Sequence, residues 1–271
     1  MVVLSLLELG LVFGARAAPR AELWPRWQAN DPASRATIDH GPWGAFLAHY
    51  LVIGRDGVNR VAYGQVAPAD RARLEANIAR LAALPISTYN RAEQEAYWIN
   101  LYNALTVDVV LRHYPVDSIR DIDISPGWFS DGPWGKKLIT VEGEPLSLDD
   151  IEHRILRPIW RDPRIHYALN CGALGCPSLQ PEPFRAADLD AQLEHAAVAY
   201  VNDPRGVRIE HGELVVSSIY DWYEEDFGGN DRGVIAHLER YAKPALGERL
   251  KRFSSIDGHA YDWRLNDARP A

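Results

Sequence analysis

"RAEQEAYWINLYNALTVDVVLRHYP" (residues 91–115) is the stretch around which the rest of the chain has to be arranged. Its apolar residues fall nearly all round a helical wheel, so this helix belongs inside a core rather than on its rim. Pro115 stops it, because the residue before a proline is pushed out of the helical region. Two carboxamides break the apolar pattern. Asn100 and Asn103 share a face with Ala96, Val107 and Val110, where aliphatic side chains would otherwise pack.

Working outward, "PADRARLEANIARLAAL" (68–84) is an amphipathic helix with Leu74, Ile78 and Leu81 on one side, and another helix enters near Pro42. Residues 54–64 read as a hairpin about Asp56-Gly57. Residues 136–148 turn at Gly143, and residues 206–218 turn at His211-Gly212. "SIRDIDI" (118–124), "RIHYALN" (164–170) and "YDWRLN" (261–266) carry strand patterns, while 186–202, 218–227 and 233–242 read as helices. Helices and strands mix without regular alternation. The expected fold class is therefore α+β, a single domain with several helices packed on a small, mainly antiparallel sheet.

The chain has 271 residues, 47% hydrophobic and 24% charged, with a formal net charge of −8. That charge argues against nucleic acid as a partner. The run Val2 to Phe13 followed by Ala15-Arg16-Ala17 resembles a secretory signal, so residues 1–18 are expected to be a leader and residues 19–271 the domain, periplasmic or secreted. The run is too short to span a bilayer, and no other stretch is a candidate, so no membrane span is expected in the mature chain.

Polar groups on otherwise apolar faces point to a site. In "SLDDIEHRILR" (147–157), Ser147 and Asp150 form a capping-box-like start. At about a hundred degrees per residue, Glu152 falls among Leu148, Ile151 and Ile155, with His153 one step round. In "SIYDWYEEDF" (218–227), Asp226 sits within the Ile219, Trp222, Tyr223 stripe. A buried amide without a partner costs about 1–3 kcal/mol and a lone buried carboxylate more. Either these groups face one another in one pocket, or each is satisfied separately, for instance Asp226 by an arginine and Glu152 by Arg157.

"HYALNCGALGCP" (166–177) holds both cysteines of the chain. Gly172 and Gly175 make a tight turn whose amides could lower a thiol pKa and serve as an oxyanion site. A Cys171–Cys176 disulfide is feasible in a looped chain in an oxidising compartment, and on the residues alone it is the better fit. His166 and Cys171, an odd number apart, would point to opposite faces of a continuous strand. Thiol–disulfide exchange is disfavoured, since the spacing is not the usual two residues.

"AYWINLYNALT", "LSLDDIEHRILRP", "RIHYALNCGALGCPSL" and "IYDWYEEDFGG", in this order, resemble the family called domain of unknown function 547 over roughly residues 40 to 265. The resemblance implies a bacterial, often exported, uncharacterised protein. It also implies retention of Cys at position 171 and alternation of Cys with Ser at 176 in the plant branch, where Glu152 and His153 are present and His166 is not always. Many bacterial relatives carry Ser where this chain has Gly175. A mandatory disulfide fits that alternation poorly. The resemblance therefore favours a cysteine-dependent hydrolase or acyl transferase. In that reading Cys171 is the nucleophile, His153 or His166 its base, Glu152 or Asp226 the orienting acid, and Asn100 or Asn103 an oxyanion donor. A kinship with papain-like or transglutaminase-like enzymes would require a permuted order, because both histidines precede Cys171. The alternative is a non-catalytic envelope-binding or structural module with a Cys171–Cys176 bridge and surface aromatics such as Trp128, Trp134 and Trp160. No cofactor or metal is expected, and the substrate is an unspecified small molecule, peptide or envelope component.

Overall fold

A computed structural model describes residues 19–127 and 131–269. At its centre runs α3 (Arg91–His113), whose side chains from Glu93 to Leu111 are buried in succession. Asn90 caps its first turn, accepting from the Glu93 amide at 3.0 Å. Against it lies α2 (Pro68–Ala82), with Pro68 in its first turn and Leu74, Ile78 and Leu81 turned inward, and α1 (Gly41–Tyr50) packs in turn on α2. Trp98 of α3 meets Trp27 edge to face at 5.1 Å.

Among the described residues the strands form three small sheets rather than the single one expected. Strands β1 (Leu51–Val52) and β2 (Arg60–Val61) pair antiparallel, as do β3 (Ile139–Val141) and β4 (Glu144–Leu146). The third sheet joins β5 (Val207–Glu210) and β6 (Glu213–Ser217) as a hairpin, with β7 (Gly258–Ala260) parallel to β6. The hairpin turns fall where glycine permits positive φ, at Gly57, Gly143 and Gly212. The class is α+β.

A helical stretch at 148–160 includes a π-helical segment, Asp150–Leu156, continuing into α4 (Arg157–Trp160). Ser147 and Asp150 exchange side chain and amide at its start, at 2.8 and 3.2 Å. The one-turn α5 (Ile165–Ala168) leads into the cysteine loop. Then come α6 (Leu189–Val201), α7 (Ile219–Trp222) with a 3-10 turn at Glu224–Phe227, α8 (Asp231–Tyr241) and α9 (Pro244–Leu250). A second apolar cluster, including Tyr167, Tyr200, Tyr220 and Phe227, fills the space between α6, α8 and the third sheet.

Three strand expectations are corrected. Residues 118–124 include a 3-10 turn, because Ser118 Oγ accepts from the Arg120 amide and Asp121 accepts from the Ser118 amide, local bonds that compete with a ladder. Residues 165–168 are helical. The last strand lies at 258–260, and residues 261–267 make only isolated bridges. No described helix is long and apolar enough to cross a membrane. The leader expected at 1–18, and Trp128, lie outside the described residues.

Candidate functional site

The carboxamides of α3 act as clasps on the backbone. Asn100 donates to the Phe184 carbonyl at 2.7 Å and accepts from the Phe184 amide at 3.0 Å. Asn103 donates to the Ala168 carbonyl and accepts from the Asn170 amide, both at 2.9 Å. Asn170 in turn bonds the Pro177 carbonyl and the Gly172 amide, and Asn266 Nδ2 donates to its Oδ1. This chain of buried amides fixes the cysteine loop to α3. It also explains why polar residues interrupt so apolar a helix: each replaces a backbone partner that a loop cannot supply.

Within the loop Cys171 and Cys176 are bridged, with Cα atoms 6.2 Å apart. The amides expected to form an oxyanion site are already engaged. Cys171 N points at Cys176 Sγ (2.9 Å), Leu174 N donates to the Arg264 carbonyl (2.7 Å), Gly175 N to that of Asp262 (2.8 Å) and Cys176 N to that of Ala173 (3.2 Å). The Tyr261 hydroxyl lies 3.1 Å from one sulfur and 3.0 Å from the other. A Cβ on Gly175 would stand 3.0 Å from the Tyr261 ring and 2.7 Å from the Asp262 nitrogen. Glycine at 175 therefore admits this tyrosine over the bridge.

The remaining predicted residues do converge. His166 Nε2 lies 2.7 Å from Asp226 Oδ2, and its Nδ1 faces Glu152 Oε1 at 3.7 Å. Arg157 Nε donates to the same Asp226 oxygen at 2.6 Å, and its Nη1 is 3.1 Å from His153 Nδ1. Glu152 Oε2 accepts from the Tyr102 hydroxyl at 3.1 Å. The Tyr223 ring stacks on His166 at 4.1 Å, beneath the Arg157 guanidinium. Two carboxylates thus share one guanidinium and one imidazole, so the cluster is neutral when His166 is protonated. The Asn100 and Asn103 amides and the Cys171 sulfur are engaged elsewhere, in the clasps and the bridge.

Burial opposes the charge on His166, but its bonds to Asp226 and Glu152 outweigh that and raise its pKa. Burial likewise opposes the charge on Asp226, yet His166 and Arg157 hold its carboxyl down at about 2. Glu152 is held below the usual range against its burial, by the positive field of the neighbouring imidazoles and Arg157. Burial pushes His153 down to about 4, with Glu152 resisting and Arg157 reinforcing. His153 is then neutral at physiological pH, with Nδ1 accepting from Arg157, and the stabilisation of Glu152 falls to His166 and Arg157.

Asp226 is the member that reaches solvent, its side chain 23% exposed against 3% for Arg157. Both line a cavity of about 450 Å³, with Arg161, Ala21 and Leu23 on its walls. Arg157 was visible in the sequence only as a partner for Glu152. Tyr223 read as packing, and Tyr261 gave no local signal. Trp134 and Trp160 are half-buried, the first against Trp263 and the second beneath Arg91. Among the described residues no group of three or more His, Cys, Asp or Glu could hold a metal ion.

What these elements define is an α+β domain in which a cystine loop, clasped by asparagines, adjoins a buried carboxylate–imidazole–guanidinium cluster. Residues 86–201 match the model of the family described as "Protein of unknown function, DUF547", and three of the four sequence blocks that resemble this family lie within the match. The matched segment takes in α3, the π-helical turn, the cystine loop and α6; Tyr223, Asp226 and Tyr261 lie beyond it. No curated protein and no solved structure matches the chain.

Proposed function

We propose that the protein is a hydrolase or acyl transferase acting on a carbonyl group, with Arg157 and Asp226 facing the substrate and His166 and Glu152 supporting the proton transfer behind them. The observation that carries this is the line Arg157–Asp226–His166–Glu152, with contacts of 2.6, 2.7 and 3.7 Å, which opens to the cavity at Asp226. Arg157 Nη1 already donates to a peptide carbonyl, that of Pro19, at 2.7 Å. A guanidinium so placed can stabilise the charge that develops on a carbonyl oxygen. Asp226 orients an attacking water or hydroxyl. Asp226 takes the proton of that nucleophile as its bond to the carbonyl carbon forms and passes it to the leaving group as the old bond breaks, while His166, kept protonated by the two carboxylates, supports the transfer through its bond to Asp226 and Glu152 fixes its ring. Asn100 and Asn103 serve this chemistry by holding the frame.

Turnover of a panel of chromogenic acyl esters and peptide anilides tests the proposal. The native protein is expected to hydrolyse members of the panel, and Asp226→Asn and His166→Gln to lose at least about a hundredfold in rate while remaining folded. Failure of the native protein on every substrate, or unchanged rates in both variants, overturns it.

A second reading keeps Cys171 as the nucleophile, freed when a dithiol reductant opens the bridge. It is favoured by the Tyr261 hydroxyl, which touches both sulfurs and lies within the field of Glu152. Rapid alkylation of Cys171 by iodoacetamide after mild reduction supports it; equal sluggishness of both thiols removes it. If neither chemistry appears, the reading left is a structural or envelope-binding module. Export belongs to all these readings, since a cystine persists in oxidising compartments, in keeping with the leader-like N-terminal run.

A further inference from the structure

We propose that the outer face of the π-helical turn is a binding subsite for an extended polypeptide, filled in this structure by the chain's own residues 19–24. The cause is in the sequence. The Arg157 amide, which an α-helix would give to the His153 carbonyl, bonds Glu152 instead. One position further on stands Pro158, which has no N–H to offer His153 by the five-residue step or Arg154 by the four-residue step. Two adjacent carbonyls therefore look outward. They accept from Glu22 N at 2.9 Å and Trp24 N at 3.0 Å.

Amides two residues apart lie on one side of an extended chain, so this is strand-like main-chain recognition. The alternate residues, Ala21 and Leu23, line the cavity beside Asp226. The Arg154 guanidinium covers the Trp24 ring at 4.3 Å, and Arg157 holds the Pro19 carbonyl. Backbone contacts would accept many sequences. Selectivity would come from a small and an aliphatic residue at the Ala21 and Leu23 positions and an aromatic at the Trp24 position. Residues 19–23 are exposed, so the arm is held by these few contacts and can be displaced. The inference rests on the proposed carbonyl chemistry only in calling such a peptide a substrate; binding is measured without turnover, so the two can fail separately.

The test uses the full chain carrying Glu22→Pro and Trp24→Ala, which removes one amide donor and the ring on Arg154. The probe is a fluorescein-labelled hexapeptide of sequence PRAELW, followed by anisotropy. The double variant is expected to bind it saturably and at least about tenfold more tightly than the native chain, whose tethered arm competes at high effective concentration. A hexapeptide methylated on the Glu and Trp nitrogens is expected to lose that binding. In the native protein, independent of any variant, saturating peptide is expected to release the Glu22 and Trp24 amides to deuterium exchange. Absence of binding by the double variant, equal binding of the methylated peptide, or undiminished amide protection under saturating peptide overturns the subsite.

Discussion

Replacing Asp226 by asparagine removes the negative charge shared by His166 and Arg157 while nearly preserving shape. Taking one partner from a buried ion pair typically costs about 3–5 kcal/mol, mostly as the burden of the charge left behind. Arg157 is almost fully enclosed, but the Asp226 side chain is 23% exposed and water can partly take its place. We expect the lower end, about 3 kcal/mol, which for a chain of this size lowers the melting temperature by about 6–12 °C. The cost should depend on pH in a definite direction. His166 has its folded pKa raised, so its contribution in the native chain is fully present below its unfolded value near 6.5 and is lost as pH rises through the folded value. Without Asp226, burial dominates and the His166 pKa falls, so that contribution disappears on the acid side. Asp226 itself, held at about 2, adds its full share throughout this range. Urea unfolding at pH 5.5 and 8.5 should therefore show a wider gap between native and variant at the lower pH, and the His166 ring titration, followed by NMR, should move downward. A gap below about 1 kcal/mol, or one equal at both pH values with an unmoved titration, would refute the cluster as described.

Asn103→Ala should cost about 3 kcal/mol in urea unfolding, since it strands the Ala168 carbonyl and the Asn170 amide at about 1–3 kcal/mol each; a loss under about 1 kcal/mol would mean that the clasp is not one. Cys176→Ser opens a very short ring and should destabilise by only about 2 kcal/mol with an unchanged far-UV spectrum, and a variant as stable as the native chain would contradict a structural bridge. His40 and His153 are each pushed by burial to about 4, so their unfolded forms bind protons first, and stability should fall as pH drops from about 6.5 toward 4. Neither ring nitrogen of His40 has a hydrogen-bond partner among the described residues, so His40→Phe should flatten that slope and stabilise the protein at pH 5. An unchanged pH slope in guanidinium unfolding would remove His40 as a cause.

The parts of this fold that were legible are those governed by local rules. The all-round apolar helix at 91–113, the proline-led helix at 68–82 and the hairpins about Gly143 and Gly212 lie where residue pattern and turn chemistry put them, while the hairpin about Gly57 is wider than its pattern, its first strand falling at Leu51–Val52. The convergence of Glu152, His153, His166 and Asp226 was partly legible, because charged groups on apolar faces need partners. Their pairing was not, because it depends on which distant element arrives. Arg157, a plausible mate for Glu152 by sequence distance, reaches Asp226, sixty-nine positions away. The strand pattern at 164–170 misled for a related reason. Alternation cannot register that His166 is held between two carboxylates and under Tyr223, contacts that decide the local conformation from outside. Asn100 and Asn103 were flagged by burial cost, yet nothing local distinguishes an amide aimed at a substrate from one aimed at a backbone.

The π-helical turn ties these threads together. On an α-helical wheel Glu152 and His153 stand about a hundred degrees apart, so a turn packed along one narrow face would bury only one of them. Here both are buried, and Arg157, four residues beyond His153, joins them on the inner side. The widened turn does this by giving the Arg157 amide to Glu152 rather than to His153. Pro158 cannot make good the loss, so the carbonyls of 153 and 154 turn outward. The step that gathers the ionisable groups inward is thus the same step that exposes two acceptors beside them. A chain docked on those acceptors is carried with its own carbonyl against Arg157, as the Pro19 carbonyl is. Proton-handling groups and a seat for extended backbone then have one local cause. Restoring the missing amide with Pro158→Ala should weaken both together, whereas two unrelated features would respond separately.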